Sequence, residues 1–191
     1  MEQSIYELIA RRATCRAYRP EPIPEEVLNR VLEAGCKSPS SGGFQNISII
    51  KITDPDKRRK LVDFSRGQKF LATAPGSVVF CVDYHRTEQI LAREPAPFRL
   101  PDQFQNLVMG IVDASICAQT MVLAAEEEGL GSCYNGNILN VLDQINGSWR
   151  SVYDLAAGGA AADFAGDGGV GVLCAQNQFL IGGVDPALFG S

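Results

Sequence analysis

Leu107-Val108-Met109-Gly110-Ile111-Val112-Asp113-Ala114-Ser115-Ile116-Cys117-Ala118-Gln119-Thr120-Met121-Val122-Leu123-Ala124-Ala125 is almost wholly apolar and close to the span of a bilayer. An element that is apolar all round is either the core helix of a soluble domain or a membrane span. Asp113 decides between them: a carboxylate in mid-run is costly in lipid, and Gln119, Thr120 and the closing Glu126-Glu127-Glu128 add to that cost. The stretch is therefore read as a long, buried central helix that stops at Gly129-Leu130-Gly131.

Elements that can cover such a helix lie on its N-terminal side. Ile5, Leu8 and Ile9 repeat with helical period between Ser4 and Arg12. Pro22-Ile23-Pro24-Glu25-Glu26 starts a second helix, with Val27, Leu28, Val31 and Leu32 on one face and Gly35 as its expected terminating residue. After the loop Ser38-Pro39-Ser40-Ser41-Gly42-Gly43, residues Ile47 to Thr53 read as a strand. Asp54-Pro55-Asp56-Lys57 turns into a charged helix ending at Phe64, and Ser77 to Val82 is a continuous apolar strand buried on both faces. With 191 residues and 46% hydrophobic content, the chain builds one core. Residues 1–147 carry these patterns. Residues 148–191 form an atypical Gly/Ala-rich C-terminal segment of the same domain, without Lys or Arg after Arg150 and with no obvious strand.

Charge is asymmetric within a net of −5: thirteen of the 17 Lys and Arg lie at or before Lys69, against nine acids there. A cationic N-terminal third in an otherwise acidic chain suits a small anion such as a phosphate, not a nucleic acid. The six cysteines form no C-x-x-C pair and sit partly inside apolar runs, the pattern of reduced, buried thiols, with no zinc framework. The N-terminus has no basic region followed by an apolar run, so the expected location is the cytoplasm. His85, the single histidine, has no clustered partner, which points to no metal site. Gly166-Asp167-Gly168-Gly169-Val170-Gly171 matches G-x-G-x-x-G but lacks the flanking strand and helix of a dinucleotide fold.

Three segments suit a phosphate attached to a flat heteroaromatic ring. In Arg12-Ala13-Thr14-Cys15-Arg16-Ala17-Tyr18, two guanidiniums flank a hydroxyl donor. The small residues of Pro39-Ser40-Ser41-Gly42-Gly43-Phe44-Gln45 let a ring approach the backbone, and Gln45 both donates and accepts. Gly129 to Gly136 is a glycine-rich exit from the central helix whose backbone can line a cofactor. Alone, the arginine pair is more often surface charge, and the Ser/Gly stretch more often a plain loop.

Their order and spacing resemble the FMN-dependent nitroreductases, especially the oxygen-insensitive NADPH nitroreductase and flavin reductase branch. The likeness runs from Ser4 to Asn137 and includes the loop leading into Ser48 to Asp54, the Gly67-Gln68-Lys69 segment, the strand Val79 to Asp83 and the helix containing Val112-Asp113-Ala114. It implies an α+β fold, with a mostly antiparallel sheet flanked by helices, and a homodimer. It also implies FMN phosphate and ribityl contacts from Arg12, Ala13, Thr14 and Arg16. The ring-side loop is then Pro39, Ser40, Ser41 and Gln45, Gln68 touches the flavin, and Tyr134, Asn135, Gly136 and Asn137 line its other side. Asn135 departs from the family, which usually has an apolar residue there, and Gly43 replaces a frequent asparagine. Downstream, the family's apolar strand, Gly-Tyr/Trp-Pro turn and Lys-Pro-Arg element find no counterpart after Arg150.

The chemistry so implied belongs to the cofactor. Hydride passes from NAD(P)H to FMN and the electrons then pass to a nitroaromatic, a quinone or free flavin in a ping-pong cycle, with no protein nucleophile or metal. The missing cations motivate an alternative, a flavin-binding redox sensor or pseudoenzyme without turnover. They also lead to the expectation that truncation after Arg150 alters FMN affinity by less than about tenfold.

Overall fold

The computed structural model describes residues 4–52, 54–65, 67–83, 89–90, 92–93, 104–136 and 173–183. Helix α1 (Ile5–Arg11) begins with a capping box, in which Ser4 Oγ accepts from Glu7 N and the Glu7 carboxylate accepts from Ser4 N. Helix α2 (Glu25–Cys36) follows Pro24, its two leading glutamates facing the positive end of the helix dipole. A short 3-10 turn (Ser41–Gly43) leads to strand β1 (Ile47–Ile52). Asp54 caps α3 (Pro55–Phe64) by accepting from Asp56 N and Lys57 N; the one-turn α4 (Phe70–Thr73) and strand β2 (Gly76–Val82) come next. Helix α5 (Phe104–Glu127) turns at Gly129, whose φ of 75° only glycine adopts freely, into β3 (Leu130–Asn135). The last described element is β4 (Leu173–Gly183).

The four strands form one sheet in the order β1-β2-β4-β3, antiparallel at every pairing. All seven residues of β2 are buried, because both faces of the sheet are covered. Val78, Phe80 and Val82 pack with Leu28 and Val31 of α2 and with Ala114, Ala118, Met121 and Val122 of α5. Val79 and Cys81 pack on the opposite face with Leu61, Leu71 and Ala74.

Three expectations need correction. The Gly/Ala-rich tail does contain a strand: β4 pairs with β2 from Gly76↔Ile181 to Val82↔Leu173, and with β3 from Leu130↔Gly183 to Asn135↔Gln178. Its place in the sheet comes from backbone pairing to two neighbours, which needs no apolar alternation of its own. Within the glycine-rich exit from the helix, Leu130 to Asn135 form strand β3. Gly35 lies inside α2 instead of ending it: a Cβ there would meet Met121 Cγ at 2.6 Å, so the glycine permits close approach of α2 and α5. The central helix is buried on one face only, since Val108, Val112 and Ile116, spaced by four, are 41%, 48% and 37% exposed. Length and composition alone would allow α5 to cross a membrane, but its Asp113 is buried against Ser41 in the domain.

Candidate functional site

The basic segment leaves α1 at Arg12 in extended conformation and runs along the edge of the sheet. Thr14 forms a parallel bridge with Ser132, and Cys15 N donates to Ser132 O at 2.8 Å. Arg12, Thr14 and Arg16 are thereby fastened beside β3, where Arg12 is half-buried and Ala13, Thr14 and Arg16 are exposed. Both guanidiniums act electrostatically on this strand. Burial pushes the Tyr134 phenol up to about 12, against the pull of Arg12. It likewise pushes the Cys133 thiol up, against the opposing pull of Arg16 beside it. Tyr134 OH donates to Gln119 Oε1 at 3.3 Å, tying this edge to α5.

Gln68, just ahead of α4, meets the same strand: Asn135 Nδ2 donates to Gln68 Oε1 at 2.8 Å. Segments around residues 14, 68 and 134, distant in sequence, thus converge on β3. Gly136 follows exposed at its end, while Asn137 lies outside the described residues, as do His85 and the 166–171 glycine motif.

The loop Pro39 to Gln45 is held separately. Asp113, 2% exposed on α5, accepts from Ser41 N at 3.0 and 2.9 Å and from Ser41 Oγ at 2.8 Å. Sequence reasoning used Asp113 to exclude a membrane and as part of the family resemblance, without assigning it a partner; a lone carboxylate in an apolar run was the signal that it had one. Ser41 is therefore an anchor of the loop, with both of its donors engaged. Ser40 Oγ accepts from Gln45 N at 3.1 Å. Gly42, Gly43 and Gln45 take φ of 58°, 70° and 49°, and Gln45 is the one non-glycine residue with positive φ among the described residues. A Cβ at Gly42 would meet the Phe44 ring at 2.9 Å, so this loop requires glycine twice over. Such left-handed outliers persist where surrounding contacts fix them, often at ligand sites. Pro39 and Gln45 are exposed and Ser40 is half-buried.

A family model described as the nitroreductase family matches residues 9–157. The chain belongs to the nitroreductase family. Among its relatives, an NADPH-flavin oxidoreductase of Vibrio harveyi is 34% identical over 146 residues, 76% of this chain and 58% of that protein. An oxygen-insensitive NADPH nitroreductase of Salmonella typhimurium is 34% identical over 139 residues, covering 73% and 56%. The chain thus spans somewhat over half the length of these curated relatives. Solved structures extend the likeness further along the chain. Nitroreductase A from Vibrio parahaemolyticus has a TM-score of 0.77 and 29% identity over 97% of this chain and 69% of that one. An NADPH:FMN oxidoreductase from Vibrio harveyi complexed with NAD+ has a TM-score of 0.76 and 28% identity over 95% and 69%. The helices and the antiparallel sheet described above are those of a nitroreductase-like α+β fold.

Proposed function

We propose that this chain is an FMN-dependent oxidoreductase that takes hydride from NAD(P)H and delivers the electrons to a nitroaromatic, a quinone or free flavin. The observation that carries this reading is the convergence of the Arg12 to Arg16 segment and Gln68 on strand β3, which itself carries Tyr134 and Asn135. The donor set fits FMN. Two arginines and the Thr14 hydroxyl suit a dianionic phosphate, and the amides of Gln68 and Gln45 suit the heteroatoms of a flavin ring. Relatives named as NADPH-flavin oxidoreductase, FMN reductase (NADPH) and NADPH nitroreductase support the same chemistry.

FMN, when bound, supplies the two-electron chemistry itself. The chain's residues bind and orient it: Arg12, Ala13, Thr14 and Arg16 at the phosphate and ribityl chain, Pro39, Ser40, Ser41 and Gln45 at the ring-side loop. Gln68, with Tyr134, Asn135 and Gly136, would line the other side. Ser41 acts through the loop that Asp113 holds. No protein nucleophile or metal enters the cycle, which is ping-pong because donor and acceptor use the same space in turn.

The working form in this reading is a cytoplasmic homodimer. Its support is the apolar surface left open on α5 by Val108, Val112 and Ile116, and on α1 by Ile5, Tyr6 and Ile9, which are 64%, 78% and 56% exposed. Sedimentation should show a dimer that Val112→Asp converts to monomer; a monomeric parent protein would remove this part of the proposal. The activity is tested by an absorbance spectrum of the purified protein with FMN, before and after anaerobic NADPH. Bleaching of the flavin bands, restored by a quinone, is expected. Bound flavin that NADPH leaves unbleached would favour the redox-sensor reading, which the lack of Lys and Arg after Arg150 also suggests.

A further inference from the structure

The contact between Asn135 and Gln68 fixes more than a distance. A primary amide presents an acceptor oxygen on one side and two N–H donors on the other. Asn135 donates its Nδ2 to Gln68 Oε1 at 2.8 Å, so a half-turn of the Gln68 amide would set donor against donor. Asn135 itself is 3% exposed at the end of β3, and its backbone is paired with Gln178 of β4. Gln68 is half-buried, and no described residue accepts from its Nε2.

We infer that Asn135 is a positioning residue that presents Gln68 to the bound ligand as a donor only, selecting a ring edge that carries acceptor atoms. The inference rests on the proposed function, in which Gln68 faces the flavin. An N–H donor held at a ring acceptor stabilises negative charge gained on reduction more than it stabilises the neutral oxidised ring. The pair therefore holds the bound flavin's midpoint potential higher than an unpaired glutamine would. An apolar residue at this position could not set the amide's direction.

Asn135→Asp replaces the donor by an acceptor and turns the Gln68 amide around, so that its oxygen faces the ligand. Gln68→Met removes the donor at equal length without touching the buried position. FMN titration by fluorescence and spectroelectrochemistry read both variants, with the melting temperature of the flavin-free proteins as the control for folding. Both should bind oxidised FMN about three- to tenfold more weakly. Both should also lower the potential, a further tenfold loss for the reduced form reading as about 30 mV in a two-electron couple. If Asn135→Asp fails to fold, Asn135→Leu, which leaves the Gln68 amide free to turn, replaces it in both measurements, and a potential equal to the parent's overturns the inference. FMN binding with an unchanged potential overturns this inference and leaves the functional reading standing. A parent protein that binds no FMN overturns both.

Discussion

The two arms of the candidate site are held in place by different means. Arg12 to Arg16, Tyr134 and Asn135 are fixed by backbone pairing, through the Thr14–Ser132 bridge and the six-residue register of β3 on β4. The loop Pro39 to Gln45 is tied to α5 by a side chain, the Asp113 carboxylate, through hydrogen bonds to Ser41. The first arrangement is distributed and depends on a strand far along the chain. The second is local and can be undone by changing a few atoms. A site built in this way has one part that fails only with the fold and another that can be loosened while the fold survives.

The largest effect should come from removing the distributed support. Truncation after Arg150 deletes β4 and leaves β2 and β3 without their shared partner, stripping a buried strand of its ladder on one side. The shortened chain should lose its cooperative thermal transition and its FMN binding together. This reverses the expectation drawn from composition, and a truncated protein that melts like the parent would restore it. Asp113→Ala should act next. Losing a buried carboxylate with three hydrogen-bond contacts costs about 2–3 kcal/mol, or roughly 4–10 °C in Tm, with Asp113→Asn falling short of that. Protease cleavage in the loop at residues 40–45 should rise in the alanine variant. An unchanged Tm and digestion pattern would show that the loop has other support.

Arg16→Ala tests the first arm without disturbing the sheet. It removes a charge-assisted contact to the phosphate, about ten- to a hundredfold in FMN affinity. Arg30→Ala is the control, because Arg30 is engaged with Glu128 at 2.6 and 2.8 Å on an exposed face. Equal, small effects of the two substitutions would move the phosphate site elsewhere. The smallest effect concerns Glu126, next to both α1 and β3. Burial raises its carboxyl above the ordinary value of 4.5, opposed by the Ser132 hydroxyl, Arg12 and Arg11. A folded-state value above the unfolded one favours the protonated form in the fold. Stability is therefore greatest below pH 4.5 on this account and is lost as pH rises through the folded value. Glu126→Gln should abolish that slope and gain about 0.5 kcal/mol at pH 7, solvent screening keeping the effect small. An identical pH profile for the two proteins would discard the assignment.

What the sequence revealed follows the same division. β1, β2, α2 and α3 were legible because apolar periodicity and caps such as Asp54 are local signals. The β4 segment Leu173 to Gly183, with Gln176-Asn177-Gln178 in its middle, carries no such pattern, since its place is set by neighbours that a local window does not contain. Gly35 misled for a related reason: a glycine that permits contact with Met121 looks the same in sequence as one that ends a helix. In the candidate site, the ordered motifs supplied the residues but not their fastenings. Neither the engagement of Ser41 by Asp113 nor that of Gln68 by Asn135 can be read from spacing, because the partners are 72 and 67 residues apart.

The position of β4 also has a consequence for biosynthesis. β2 ends at Val82, whereas the strand that must lie beside it begins at Leu173. While the chain emerges from the ribosome, β1 and β2 can pair early, but one edge of β2 stays open until the C-terminal residues arrive. β3 meanwhile has no neighbour at all on the side where β4 will lie. A contact so remote in sequence is slow to close, and an open apolar edge invites pairing with other nascent chains. The yield of soluble protein should therefore depend on chaperone supply and growth temperature more than the stability of the finished domain would suggest.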